Sequence, residues 1–203
     1  MIRYVPAGLF ALAAAVVSAG AAGEVVEPET GIPFSDTLFV EEAGESHVLR
    51  LTGTAVREAT VFKLDVYAVG SYVGAGEALG DDPAAAIVAA EAPKRIVMEF
   101  VRDVEADRVT GAYREGIEKN FGDDTGAFAA DFETLLAFFG DDVASGDRLV
   151  LTYLPGTGIF ARHGERVSDP LNNPALARAV WTIWFGDDPV SKDMRERMAG
   201  PGS

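Results

Sequence analysis

The sequence predicts an α+β fold in which a large antiparallel β-sheet carries a layer of α-helices on one face. Two observations lead to this prediction: the order of the elements along the chain and their hydrophobic periods. Segments of alternating polarity come first, two helical segments lie in the middle, and a hairpin and a helix follow. A doubly wound α/β fold would instead alternate strands and helices throughout the chain.

The first residues have the pattern of a secretory signal. No charged residue occurs between Arg3 and Glu24, and the apolar segment 9–17 has the length of a signal core. Ala19-Gly20-Ala21 fits the small-x-small rule for cleavage. We therefore expect a signal peptide over residues 1–21, a single domain over 22–203, and a periplasmic or secreted protein without a stable membrane anchor. The alternative is a retained anchor, because the charge-free stretch is just long enough to span a bilayer.

The composition excludes several kinds of site. The 203 residues include no cysteine, which rules out disulfides, thiolate metal ligands and thiol nucleophiles. The formal net charge of -15 repels nucleic acid at long range, so we expect no nucleic-acid partner. His47 and His163 have no metal-like partner at helical spacing, and we expect neither a metal nor a cofactor.

Alternating polarity predicts the strands of the sheet. They are expected at residues 34–40, 47–52, 59–73, 94–101 and 148–154. The polar segment 24–31, which contains Pro28, is expected to be a lead-in to the domain. Residues 158–162 and 165–168 are expected to form a hairpin that turns at His163-Gly164. Within the strand at 59–73, Gly70 indicates a bulge or a close backbone approach.

A period of 3.6 residues predicts the helices. They are expected, in order, after Asp82-Pro83, over 106–121, over 128–139, after Asn173-Pro174 and after Ser191. Asp82, Asn173 and Ser191 are residue types that cap helix N-termini, and proline suits the first helical position. Gly122 suits the end of the second helix.

Three polar residues occur at positions where the pattern predicts apolar side chains or no particular side chain. Arg57 lies at the edge of a strand, while Tyr113 and Asn120 are seven residues apart on the apolar stripe of one helix. That spacing puts the two side chains on the same side, two turns apart. Tyr67 lies on the mixed face of the strand at 59–73. An arginine with a phenol and an amide suits a carboxylate or phenolate, but a purely structural hydrogen-bond network is the alternative.

Seven short motifs occur in an order and spacing typical of one family. They are LTGTAVR at 51–57, FKLDVYAVGSYV at 62–73, RIVMEF at 95–100, YREG at 113–116 with Asn120, GDRL at 146–149, PGTG at 155–158 and IWFGDDPVS at 183–191. With these motifs the chain resembles the chalcone isomerase family, in its bacterial, exported chalcone-isomerase-like branch. The resemblance covers roughly residues 31–200.

The resemblance implies the open-faced sandwich of that family, with a ligand cleft between the sheet and the helices. In true chalcone isomerases an arginine, a threonine, a tyrosine and an asparagine line the cleft. These positions match Arg57, Tyr67, Tyr113 and Asn120, which the resemblance implies are ligand-binding residues. Tyr67 replaces the threonine, and a second family threonine falls at Ile183.

Three functions are compatible with the resemblance. We favour a non-catalytic binder of a small apolar carboxylate such as a fatty acid, because both threonine positions have changed. The second function is an intramolecular lyase that closes a chalcone-type ring by oxa-Michael addition. In that enzyme Arg57 would stabilise the phenolate and Tyr113 the developing enolate, with Asn120 as the third candidate catalytic residue. The third is a structural or partner-binding periplasmic protein.

Overall fold

The computed structural model describes residues 23–42, 44–59 and 64–200. Its strands are β1 (Glu24–Val26), β2 (Pro33–Ser35), β3 (Thr37–Glu42), β4 (Glu45–Ala59), β5 (Leu64–Gly74), β6 (Lys94–Phe100), β7 (Arg148–Leu154), β8 (Gly158–His163) and β9 (Arg166–Val167). Its helices are α1 (Pro83–Ala89), α2 (Ala106–Phe121), α3 (Ala129–Phe138), α4 (Pro174–Phe185) and α5 (Lys192–Ala199). The predicted signal segment, residues 1–21, lies outside the described residues.

The strands form an antiparallel meander. β3 to β9 pair in chain order in one seven-stranded sheet, and β1 and β2 form a separate two-stranded sheet. Helices cover one face of the large sheet, which confirms the predicted α+β fold with an antiparallel sheet and a helical layer.

The two faces of the sheet bury two separate hydrophobic clusters. The larger lies under the helices and includes Trp181 and Trp184 of α4. The smaller lies on the opposite face, where Phe34 of β2 packs against side chains of the large sheet. Alternation along β5 sends Ala68 and Tyr72 to the smaller cluster and Val69 to the larger, as the pattern predicts, but Val66 was predicted on the face of Ala68 and instead packs against the larger cluster.

Helix starts agree with the sequence. The side chains of Asp82, Asn173 and Ser191 each accept a hydrogen bond from the backbone N–H three residues on. Gly122 follows α2 with φ +53°, a conformation that favours glycine. None of the helices in the described ranges has the length and apolar character that a membrane span requires.

Two predicted segments near the N-terminus need correction. The expected strand at 34–40 is interrupted at Asp36, between β2 and β3. The backbone N–H of Asp36 bonds to Gly23, and its carbonyl accepts from the N–H of Leu51. Asp36 therefore connects β2 of the small hairpin to β3 of the large sheet. The expected polar lead-in at 24–31, to which no strand was assigned, contains β1, which pairs with β2.

The expected strand at 59–73 also differs from the structure. Ala59 ends β4 and Leu64 begins β5, while 60–63 lie outside the described residues. Gly70 marks a close approach, because a Cβ there would lie 2.7 Å from a ring atom of Phe34. The register shifts between β4 and β5 fall elsewhere, at Leu51/Gly53 and Arg57/Glu58.

The first and last parts of the described chain are joined by a buried carboxylate. Glu27, in the turn after β1, is fully buried and accepts from the backbone N–H and the hydroxyl of Thr30, both at 2.8 Å. Arg197 of α5 donates to the same carboxylate at 2.7 Å. Nearby, the Thr52 hydroxyl of β4 donates to the Met198 carbonyl at 2.7 Å. The small hairpin, the large sheet and the terminal helix therefore meet at one place.

A fully buried lysine closes the C-terminal end of α1. The Lys94 Nζ donates to the carbonyls of Ile87 at 3.0 Å and Val88 at 2.9 Å, and it lies 5.1 Å from the Trp181 ring centroid. A cation suits the negative end of a helix. Burial nevertheless lowers the pKa of Lys94 from 10.5 to about 8, with Glu91 partly opposing the shift and Arg178 adding to it.

The protein is expected to become more stable as pH rises above 8, because the buried Lys94 then loses its charge. Its pKa in the folded protein lies below that of the unfolded chain, so the unfolded state binds more protons between about pH 8 and 10.5. The free-energy cost of burying the charged ammonium of Lys94 is fully present below pH 8 and is relieved as pH increases. Urea unfolding should show a gain of about 1 kcal/mol between pH 8 and roughly 9.5. The Lys94→Met variant should lack this rise, and an equal rise in both proteins would contradict the assignment.

Candidate ligand-binding site

A cavity of about 690 Å³ opens between the end of the sheet and the helical layer. Its apolar lining comes from Val66, Met98, Phe100, Val104, Val109, Ala112, Leu149, Ile183, Trp184 and Val190. Its exposed charged residues are Asp103, Glu105, Arg108 and Asp142. The cavity thus combines an apolar interior with a charged rim, which is the usual character of a small-molecule site.

Arg57 and Tyr67 reach this cavity from neighbouring strands. They are directly opposite each other on β4 and β5, and Tyr67 is opposite Phe100 of β6. Arg57 is partly buried, and one of its nitrogens donates to the Glu58 carbonyl at 2.8 Å. Within 23–42, 44–59 and 64–200, no carboxylate forms an ion pair with Arg57. Its remaining donors are therefore available to a ligand.

The Tyr67 hydroxyl accepts a hydrogen bond from the indole N–H of Trp184 at 3.3 Å. Its ring packs against Phe100 with centroids 5.3 Å apart. Burial raises the pKa of Tyr67, and the Trp184 hydrogen bond and the Arg57 charge only partly oppose this effect. Tyr67 is therefore a neutral phenol at neutral pH and retains a hydrogen to donate.

Tyr113 enters the cavity from α2 and is 5% exposed. Its ring stacks on Phe139 at 5.1 Å and meets the Trp184 ring edge-on at 5.9 Å. The buried hydroxyl has no hydrogen-bond partner among the described residues. Burial raises the pKa of Tyr113 well above 10, with a further contribution from Tyr67, so this phenol is also neutral. A buried donor without an acceptor is costly unless a ligand or water supplies one.

Asn120 lies outside the set of residues that line the cavity, which corrects its predicted convergence with Arg57 and Tyr113. Its Nδ2 donates to the carbonyls of Gly116 at 2.9 Å and Asp188 at 3.1 Å. Its Oδ1 accepts from the backbone N–H of Asp188 at 3.3 Å. Asn120 therefore holds the loop between α4 and α5, a loop whose Val190 forms part of the cavity wall.

Arg102 and Trp184 also line this cavity with polar side-chain atoms, and neither was predicted to contact a ligand. Arg102, just after β6, lines it with a buried Nε that has no partner among the described residues. Its only sequence signal is an arginine directly after a predicted strand. Trp184 was expected on α4 but without a role in the site, because an aromatic residue on a helix is usually core.

Three carboxylates lie close together beside the site. Oxygens of Glu29, Glu58 and Asp65 are within 4.8 Å of one another, which is the spacing of a possible cation site. Glu29 already pairs with Arg197 of α5, however, and Glu29 is exposed. Glu58 and Asp65 are half-buried, and a group of carboxylates near the surface indicates no metal by itself.

Comparisons with known proteins agree with this architecture. A family model described as chalcone isomerase-like matches residues 29–200. A solved fatty-acid binding protein from Arabidopsis thaliana superposes with a TM-score of 0.65 at 20% identity, covering 87% of this chain and 96% of that chain. At that identity the likeness shows the fold. None of the curated proteins matches the sequence.

Proposed function

Because the chain belongs to the chalcone isomerase-like family, we propose that it binds a small apolar carboxylate, such as a long-chain fatty acid, without converting it. One observation carries the proposal: besides Arg102, three donors with unused hydrogens line one largely apolar cavity. They are the Arg57 guanidinium and the hydroxyls of Tyr67 and Tyr113. These three donor groups suit a ligand that accepts several hydrogen bonds. A carboxylate offers two oxygens with about four lone-pair sites.

The carboxylate accepts a charge-assisted pair of hydrogen bonds from Arg57, the strongest contact in this cavity. The hydroxyls of Tyr67 and Tyr113 complete its coordination. The tail follows the apolar wall formed by Met98, Leu149 and other residues between sheet and helices. Asn120 has no part in this site, because its amide is committed to Gly116 and Asp188.

The similar Arabidopsis thaliana structure is named as a fatty-acid binding protein, which supports the choice of ligand class. The bulk of Tyr67 supports binding over ring closure, because a phenol occupies the position of the family's threonine. Cyclisation of a 2'-hydroxychalcone well above the spontaneous rate, and lost in Arg57→Ala, would favour the lyase instead.

The proposal is tested by calorimetric titration of dodecanoate against dodecanol, which has the same tail length. Arg57 forms a charge-assisted contact only with the acid, so dodecanoate should bind at least about tenfold more tightly. Equal affinities would mean that the site does not recognise an anionic head group, and the proposed function would be wrong.

We also propose that the protein is exported and acts in the periplasm or outside the cell. The support is the sequence pattern of residues 1–21, with its charge-free apolar core and Ala19-Gly20-Ala21. Intact-mass measurement of the protein from its producing cells should give a mature chain that begins near Ala22. Full-length protein held in the membrane would contradict the proposal.

A further inference from the structure

The contact between Trp184 and Tyr67 fixes the direction of one hydroxyl. Trp184 is 1% exposed, and its Nε1 lies 3.3 Å from the Tyr67 oxygen. An indole N–H can only donate, so the Tyr67 oxygen must be the acceptor in this contact. The hydrogen of the Tyr67 hydroxyl therefore points away from the indole.

That hydrogen has no acceptor in the part of the chain that the structure describes. The cross-strand neighbours of Tyr67 are Arg57, whose side chain has only donors, and Phe100, whose side chain is apolar. Tyr67 itself lines the cavity. The cavity therefore offers a direction for this hydrogen, toward the space that the proposed ligand head group would occupy.

We infer that Trp184 is a positioning residue, which holds the Tyr67 hydroxyl as a donor to the anionic head of the ligand. The inference rests on the proposed function, since it names how that head group is recognised. A donor into the phenol oxygen also polarises the phenol and strengthens its own hydrogen bond. In agreement, the Trp184 hydrogen bond lowers the pKa of Tyr67 against the larger effect of burial.

The indole is held in place by its surroundings. Its ring meets the Tyr113 ring edge-on at 5.9 Å, so one side chain of α4 contacts both phenols of the site. Trp181, one turn earlier on the same helix, offers a matched control. It is also fully buried, its Nε1 has no partner among the described residues, and it is not among the residues that line the cavity.

A double-mutant cycle tests the inference with dodecanoate as the titrated ligand. Trp184→Phe should weaken binding about three- to tenfold, the value of one hydrogen bond. In the Tyr67→Phe background the same replacement should have no further effect, because Trp184 acts through the hydroxyl that is missing. Trp181→Phe should leave the affinity unchanged.

A second variant keeps the test informative if the Trp184→Phe protein does not fold. In a Trp181→Phe background, benzothienylalanine at position 184 keeps the fused rings but lacks the N–H, and it should reproduce the loss. An equal loss with and without the Tyr67 hydroxyl would mean that Trp184 acts by packing alone, and no loss would mean that its N–H is irrelevant. Either result would overturn the inference while dodecanoate binding by the unmodified protein still upheld the proposed function. Failure of the unmodified protein to bind dodecanoate would instead remove the proposed function, and the inference with it.

Discussion

Replacing Arg57 by alanine is expected to weaken the binding of a long-chain fatty acid by about ten- to several-hundredfold. Arg57 is the cation that lines the cavity opposite Tyr67, and none of the described carboxylates pairs with it. Its removal takes away the guanidinium that the proposal pairs with the ligand carboxylate, which is costly in a largely apolar cavity even though Arg102 and Arg108 also line it. Calorimetric titration measures the loss directly.

Tyr113→Phe is expected to weaken binding of the same fatty acid less, by about tenfold, because only one hydrogen bond disappears. The same titration measures this smaller loss of affinity.

Arg114→Ala is the matched control for Arg57→Ala. Arg114 lies on α2 beside Tyr113, but it is exposed, pairs with Glu133 and is not among the cavity-lining residues. Both variants remove one positive charge, so any general effect of net charge on an anionic ligand is the same in each. Similar losses in the two variants would show that Arg57 makes no specific contact with the head group.

Replacing Gly53 by alanine is expected to destabilise the fold by about 3 kcal/mol. A Cβ at Gly53 would lie 2.0 Å from the carbonyl oxygen of Arg197 and 3.1 Å from the carbonyl carbon of Met198. These are backbone atoms of α5, so no side-chain rotation relieves the clash. The helix must move away from β4, and the hydrogen bond from Thr52 to Met198 is then strained.

Thermal unfolding measures this effect, with an expected decrease in Tm of roughly 6–12 °C. Gly111→Ala is the control, because Gly111 is exposed in the middle of α2 and a Cβ there meets nothing within 4 Å. That variant should gain up to about 1 kcal/mol from helix propensity. A Gly53→Ala protein as stable as the unmodified one would show that α5 does not pack tightly on β4.

The sequence predicted the fold well because most elements carry a strong period and chemically defined ends. Asp82, Asn173 and Ser191 mark helix starts through their own side chains, and no distant contact is needed to recognise them. The end of β4 at Ala59 and the start of β5 at Leu64 were missed because residues 57–63 contain neither glycine nor proline. The break at Asp36 was missed because it depends on backbone hydrogen bonds to Gly23, just before β1, and to Leu51 of β4, both of them distant in the sequence.

The site was predictable in part. The helical period correctly put Tyr113 and Asn120 on one side of α2, but seven residues correspond to about 10 Å along a helix axis. That rise carries Asn120 past the cavity to the loop at Asp188. Trp184 could not be assigned to the site from the sequence, because its contact with Tyr67 joins residues 117 positions apart.

The carboxylate shared between Thr30 and Arg197 has a consequence for biosynthesis. Glu27 and Arg197 are separated by 170 positions, and a chain emerges from the ribosome N-terminus first. At about 5–20 residues per second, Glu27 is made roughly 10–30 seconds before Arg197. The meander of strands can pair with its neighbours during that interval, since each strand follows its partner along the chain. The contact between Glu27 and Arg197 forms only after Arg197 has been made, so this part of the nascent domain remains open until α5 exists.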